Sequence, residues 1–248
     1  GYSMGGFFPQ LLDQASYNSD GVGGAHLYVP WWLDNRKLDF PRGYHIEMWG
    51  GRGMPSYGFM SDIHRLNRFI QGRSTGGGYG RQLKEDYRRL YGSVVGFSGR
   101  GEGIAHYTNY CEIDPAKVDE WGIPTLRFHY KWADEEYNQV RHMQQTFNTL
   151  ITELGGTPMW EAPGKERGYG ITRPGEIIHE TGTVRMGSDP ASSAVNSFGQ
   201  AHDVPNLFVM DAATFVSQPH KNPTWTILAL ALRNSEYLVE QSRSGGLS

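Results

Sequence analysis

Two short stretches near the C-terminal end carry residue types suited to taking a proton off an alcohol. One runs His179-Glu180-Thr181-Gly182-Thr183-Val184-Arg185-Met186-Gly187, the other Gln218-Pro219-His220-Lys221-Asn222-Pro223-Thr224. An imidazole on a loop of glycine and small polar residues can face a cavity, and its ordinary pKa lets it accept a proton near neutrality. The Asn222 amide can hydrogen-bond an alcohol oxygen without competing for that proton. A basic imidazole and a neutral amide together form a minimal alcohol-activating pair. The same letters also fit a structural turn at His179 and a helix N-cap at Asn222, and the residues by themselves leave both readings open.

Other chemistries lack their letters. No G-x-G-x-x-G, P-loop or H-E-x-x-H pattern occurs, so a dinucleotide fingerprint, a P-loop nucleotide site and a zincin have no support within these residues. The single cysteine, Cys111, excludes an intrachain disulfide and a multi-cysteine metal site. Of the nine histidines, His26, His45, His64, His129 and His142 sit inside strand or helix patterns, and His106 and His202 stand isolated. The 248 residues hold 23 basic and 26 acidic side chains, a net charge of −3, without the basic excess that a nucleic-acid partner calls for. The longest apolar run, Ile227 to Leu232, is too short to span a bilayer. Glycine, at 33 residues, is about twice its usual share. With 7 Trp and 14 Tyr, it suits a loop-rich domain handling a flat or polyhydroxylated ligand, and equally a β-rich surface with aromatic packing.

The elements that would position the two stretches follow from periodicity. Glycine runs at 21–24, 50–53 and 76–80 punctuate strand-like pieces at His26 to Trp32 and Tyr44 to Trp49. Residues 81 to 91 read as a short helix with Leu83, Tyr87 and Leu90 on one face. Ile104 to Ile113 and Thr125 to Trp132 read as strands, with a turn and loop from Asp114-Pro115 to Pro124 between them. Asp134 to Leu154 is the clearest helix, with Asp134 as N-cap and Gly155-Gly156 as its stop. Asn206 to Met210 reads as a short buried strand. It leads into a loop and then a helix over 223 to 241, with Asn222 as N-cap and Pro223 at the first helical position. A strand, a loop and a helix start in that order often hold an anionic or electron-rich group at the helix N-terminus.

The C-terminal portion resembles the glucose-methanol-choline (GMC) flavoprotein oxidoreductases. The resemblance rests on His179-x-x-Gly182-Thr183-x-Arg185-Met186-Gly187, Asp189-Pro190, Val195-Asn196, Val204-Pro205-Asn206-Leu207-Phe208-Val209-x-Asp211 and Asn222-Pro223-Thr224-x-Thr226-Ile227, in that order. Upstream, Asn109, Ile113-Asp114 and Asp119-x-Trp121-Gly122-Ile123-Pro124 are similar to the substrate-domain strand and turn of the bacterial sugar-oxidising branch (pyranose oxidases and glucoside 3-dehydrogenases).

The resemblance implies FAD as cofactor and oxidation of an alcohol to a carbonyl, with hydride passing to flavin N5. His179 is then the base and Asn222 its partner, 43 residues apart, and His220 a substrate-side candidate. Asp211 and Ala212 fall where the family contacts the ribityl and diphosphate of FAD. Asn222, Pro223 and Thr224 fall at the helix start beside the flavin. The fold implied is α+β: a largely antiparallel substrate-domain sheet with flanking helices over 1–202, and a segment over 203–248 that completes a Rossmann-like FAD domain. The G-x-G-x-x-G half of that domain is not among these residues. The chain also opens without Met or a signal pattern, so an N-terminal FAD-binding half or a companion chain is expected, and an oligomer is open. The abundant aromatics favour a sugar over other alcohol substrates. A second expectation is a non-catalytic binding or scaffold subunit that retains the signature.

Overall fold

Three strands and a long helix from distant parts of the sequence build the first hydrophobic core. The computed structural model describes residues 1–14, 27–33, 36–50, 66, 68–70, 79–176 and 178–247. The glycine runs at 21–24, 51–53 and 76–78, with His26, His64 and Ile177, lie outside the described residues. The chain divides into two units: Gly1–Arg100 with Tyr137–Ile171, and Gly101–Glu136 with Thr172–Ser248. Residues 202 and 203, where a functional boundary is expected, both fall in the second unit. Helices and antiparallel sheets give an α+β composition.

The first unit holds a five-stranded sheet in the order β2-β3-β4-β1-β7. Its strands are β1 (Tyr2–Phe7), β2 (Leu27–Trp32), β3 (Tyr44–Gly50), β4 (Val94–Gly101) and β7 (Thr157–Pro158). The registers of β1 with β4, β1 with β7 and β2 with β3 are antiparallel. One sheet face turns Tyr2, Met4, Tyr44, Ile46 and Phe97 toward helix α2 (Asp134–Glu153). α2 answers with Val140, Met143, Phe147 and Ile151, the three- and four-residue spacing of one helical face. Gly99 and Gly6 let the helix approach: a Cβ at Gly6 would stand 3.0 Å from the Ile151 side chain. Helix α1 (Arg81–Leu90) covers a smaller cluster around Phe7, Leu66 and Leu90. α2 ends as the glycines predict. Gly155 takes φ 76°, Gly156 N–H donates to Ile151 O and Gly155 N–H to Thr152 O, the paired bonds of a Schellman stop.

The N-cap of α2 differs from expectation. Asp134 is already helical, and the Glu136 carboxylate reaches back to accept the Ala133 N–H at 2.8 Å, as the third residue of a capping box does.

In the second unit, the strand expected from Ile104 begins only at Tyr110. Residues 104–109 form a turn closed by Asn109 N–H to His106 O, and the Asn109 side chain exchanges two hydrogen bonds with Lys131. The loop expected at Asp114-Pro115 is instead strand. β5 (Tyr110–Val118) runs through Pro115 and pairs with β6 (Pro124–His129), with a register shift between Asp114 and Val118. A bulge accommodates the proline's missing donor. One face of this hairpin carries the Arg127–Asp114 and His129–Glu112 pairs at 2.8 Å each. The other carries Ile113, Leu126 and Phe128, all more than half exposed. Asn206 to Met210, expected as a buried strand, makes only a single bridge, Gln200 with Phe208, and Leu207 is exposed. Its backbone pairs with the 199–201 segment, through Ala201 N–H to Leu207 O and Val209 N–H to Gly199 O. Helix α3 runs Thr224–Ser244 and stops at Gly245, φ 76°. No helix among the described residues is long and apolar enough to cross a membrane.

Candidate active site

Every residue singled out by the sequence lies in the second unit. Backbone bonds lace the two stretches together. Gly182 N–H donates to Ala212 O at 3.4 Å, Val184 N–H to Ala213 O at 2.9 Å and Met186 N–H to Thr214 O at 2.9 Å. Thr181 Oγ1 donates to Gln218 Oε1 at 2.9 Å. The His179 motif therefore runs alongside Asp211–Thr214 and touches the start of the Gln218–Thr224 loop. Gly182, at φ 84°, makes the turn that allows this, a conformation glycine adopts without steric cost.

Asp211 is extended and caps a short 3-10 turn, Ala212–Thr214. Its Oδ1 accepts the Ala213 N–H at 2.7 Å, and its carbonyl accepts Thr214 Oγ1–H at 2.9 Å. The carboxylate is exposed, and Ala212 is half-buried. Further signature residues also have structural work. Asn196 Oδ1 accepts the N–H groups of Phe198 and Gln200 in the turn before Gly199. Asp189 Oδ1 accepts the Ala191 N–H at 3.0 Å. Arg185 and Arg233 donate to the Ser192 and Ser197 carbonyls.

His179 and Asn222 contrast with these. His179 is half-buried and non-glycine, yet sits at φ 86°, which costs an L-residue of order 1–3 kcal/mol. Neither the His179 ring nor the Asn222 amide hydrogen-bonds to any described residue. The helix begins one residue later than the sequence suggests. Pro223 is the cap position, Ile227 N–H is the first to donate back, and Asn222 gives no capping bond. Asn222, Thr224 and Trp225 are exposed while Pro223 is buried. The first-turn N–H groups of a 21-residue helix thus open beside the Asn222 amide.

His220 is half-buried, and burial pulls its pKa below the ordinary imidazole value. Lys221 acts in the same direction and Glu102 opposes both. Glu102 escaped the sequence reading. Paired bonds bring it there: Gly103 N–H to Gln218 O at 3.0 Å and Gln218 N–H to Gly103 O at 3.2 Å. The available signal was the glycine on either side of Glu102, since a Cβ at Gly103 would press to 3.2 Å from Gln218. Other histidines have structural partners. His45 Nε2 meets Glu47 at 3.2 Å, His142 Nδ1 meets the Tyr44 hydroxyl at 2.8 Å, and His202 Nε2 meets Ser193 Oγ at 3.0 Å.

Against known proteins, a family profile described as GMC oxidoreductase matches residues 107–231. The chain is 30% identical over 164 residues to the gluconate 2-dehydrogenase flavoprotein of Pantoea cypripedii, covering 66% of this chain and 26% of that protein. It is 28% identical over 166 residues to a C-glycoside 3-oxidase of Arthrobacter globiformis, covering 65% and 30%. It is 26% identical over 166 residues to the fructose dehydrogenase large subunit of Gluconobacter japonicus, covering 67% and 29%. These matches span under a third of the relatives' length.

Proposed function

The chain belongs to the GMC oxidoreductase family, and from that premise we propose that it is the substrate-side and C-terminal portion of an FAD-dependent enzyme. The enzyme oxidises a sugar or another alcohol hydroxyl to a carbonyl. The carrying observation is the ladder from Gly182, Val184 and Met186 to Ala212, Ala213 and Thr214, which sets the His179 motif beside the segment leading to α3.

The residues fit a flavin on their donor chemistry. The free first-turn N–H groups of α3, with the Asn222 amide beside them, favour an electron-rich or anionic ring edge. Asn222, Pro223 and Thr224 would hold that edge, and Asp211 and Ala212 would face the ribityl and diphosphate portion. FAD, when bound, supplies the hydride acceptor at N5. His179 takes the hydroxyl proton, since its ring has no internal partner to satisfy. Asn222 orients the hydroxyl oxygen by donating to it. His220, kept neutral by burial, faces the substrate side. Residues 1–202 form the substrate portion and 203–248 complete the FAD domain, whose ADP-binding half is supplied by a further segment or a companion chain. The relatives named for gluconate, fructose and C-glycosides favour a sugar. Family membership favours the enzyme over a scaffold subunit.

The test is turnover of a panel of sugars and glycosides with an artificial electron acceptor, using the flavin-loaded protein. His179→Ala is expected to lower kcat by 10²–10⁴-fold, the usual range for a lost general base, with the flavin absorbance retained. Full kcat in that variant would remove His179 as the base.

A further inference from the structure

His106, Glu135 and Glu136 each offer one donor atom, and these three atoms lie within 4.8 Å of one another. All three residues belong to the second unit, and no step of the proposed reaction uses them. Glu136 is only 6% exposed, and no Lys or Arg among the described residues pairs with it. Buried carboxylates are ordinarily paired with a cation or bound to a metal. His106 Nε2 is shielded from solvent and has no hydrogen-bond partner, an uncommon state for a buried polar atom. A buried carboxylate without a cationic partner and a buried imidazole nitrogen without any partner thus meet at one place.

We propose that His106, Glu135 and Glu136 bind a divalent transition-metal ion that ties the 104–109 turn to the first turn of α2. One imidazole and two carboxylates suit Zn²⁺ or Mn²⁺. Donors held about 2.1 Å from an ion stand roughly 3–4 Å apart, so the three groups close on it with side-chain shifts of about an ångström. The Glu136 carboxylate is already oriented, accepting the Ala133 N–H at 2.8 Å and the Ile104 N–H at 3.4 Å. Ligating carboxylates are commonly held by such outer hydrogen bonds. Asp134, Glu135 and Glu136 together outweigh the positive helix end that would otherwise repel a cation.

The purified protein, stripped with a chelator, is titrated with Zn²⁺, Mn²⁺, Mg²⁺ and Ca²⁺ by calorimetry. About one equivalent of Zn²⁺ or Mn²⁺ is expected, with at least tenfold weaker binding in His106→Gln and Glu135→Gln and none of that loss in His129→Gln. Pulsed electron paramagnetic resonance of the Mn²⁺-loaded wild type is expected to show coupling to one imidazole nitrogen, a readout that survives if a variant does not fold. Substoichiometric binding, preference for Mg²⁺ or Ca²⁺, absence of the nitrogen coupling, or unchanged affinity in folded His106→Gln would each overturn the site.

Discussion

Gly199 holds together the turn that carries the Asn196 signature residue and the segment that leads to Asp211, and Gly199→Ala measures how tightly. Its φ is 74°, and a Cβ would collide with the Val209 carbonyl oxygen and stand 3.0 Å from Asn234 Nδ2. Asn234 is buried at 1% exposure in α3. The left-handed conformation costs an alanine about 1–2 kcal/mol. The collision adds about 1–3 kcal/mol of overpacking, because the group struck is backbone and Val209 N–H already donates to Gly199 O at 2.8 Å. Loss of glycine's freedom in the unfolded chain returns about 0.4–1 kcal/mol. The net expectation is about 2–4 kcal/mol. At about 2–4 °C per kcal/mol for a chain of this size, Tm falls by roughly 5–15 °C in a thermal melt followed by circular dichroism. Gly122→Ala is the control in the same unit, since Gly122 has φ 81° and open space around its missing Cβ. It is expected to lose about 1 kcal/mol or less. Equal losses in the two variants, or a drop below about 2 °C in Gly199→Ala, would refute the collision.

Two further perturbations address the first unit. Phe147 is fully buried, with ring centroids 5.9 Å from both Tyr2 and Phe97; Phe147→Ala is expected to cost about 3–5 kcal/mol, read as a lower urea midpoint at neutral pH. His142 has its pKa lowered by burial, against an opposing pull from Asp39. Its neutral form is the one the fold favours, so this stability is complete above the unfolded value near 6.5 and is lost as pH falls through the lower folded value. Tm should therefore fall as pH drops below about 6.5, and His142→Gln should flatten that slope; an unchanged slope would assign the acid sensitivity elsewhere.

Helices were legible because their signals are local. The α2 stripe of Val140, Met143, Phe147 and Ile151, and its stop at Gly155, depend on neighbours within one or two turns, whereas α3 runs past the expected end at 241 to Ser244. The misplaced strands depended on partners distant in sequence. The sequence pattern does not tell that Asn109 bonds across to Lys131, delaying β5 to Tyr110, nor that a bulge carries β5 through Pro115. Leu126 and Phe128 alternate as a buried strand should, yet their face of the hairpin is exposed. Alternation fixes which residues share a face and leaves open what covers it. Asn206 to Met210 reads as a buried strand on hydrophobicity alone, and strand identity also needs a neighbour along its edge.

The signature itself separates into two kinds of residue, and the separation bears on function. Asp189, Asn196 and Asp211 each spend a side-chain oxygen on a nearby backbone N–H, and Gly182 and Gly199 supply the positive φ that their turns require. Physical necessity for the fold accounts for these letters. It does not account for His179, which holds φ 86° where glycine would be easier and bonds to nothing described. Nor does it account for Asn222, which stands one residue ahead of the helix cap and gives no capping bond. The strained backbone at His179 costs stability, and nothing in the described structure repays that cost. Side chains left in this state are the ones a ligand would complete. This supports the proton-accepting and orienting roles proposed for His179 and Asn222 over the turn and N-cap roles that the sequence alone left open.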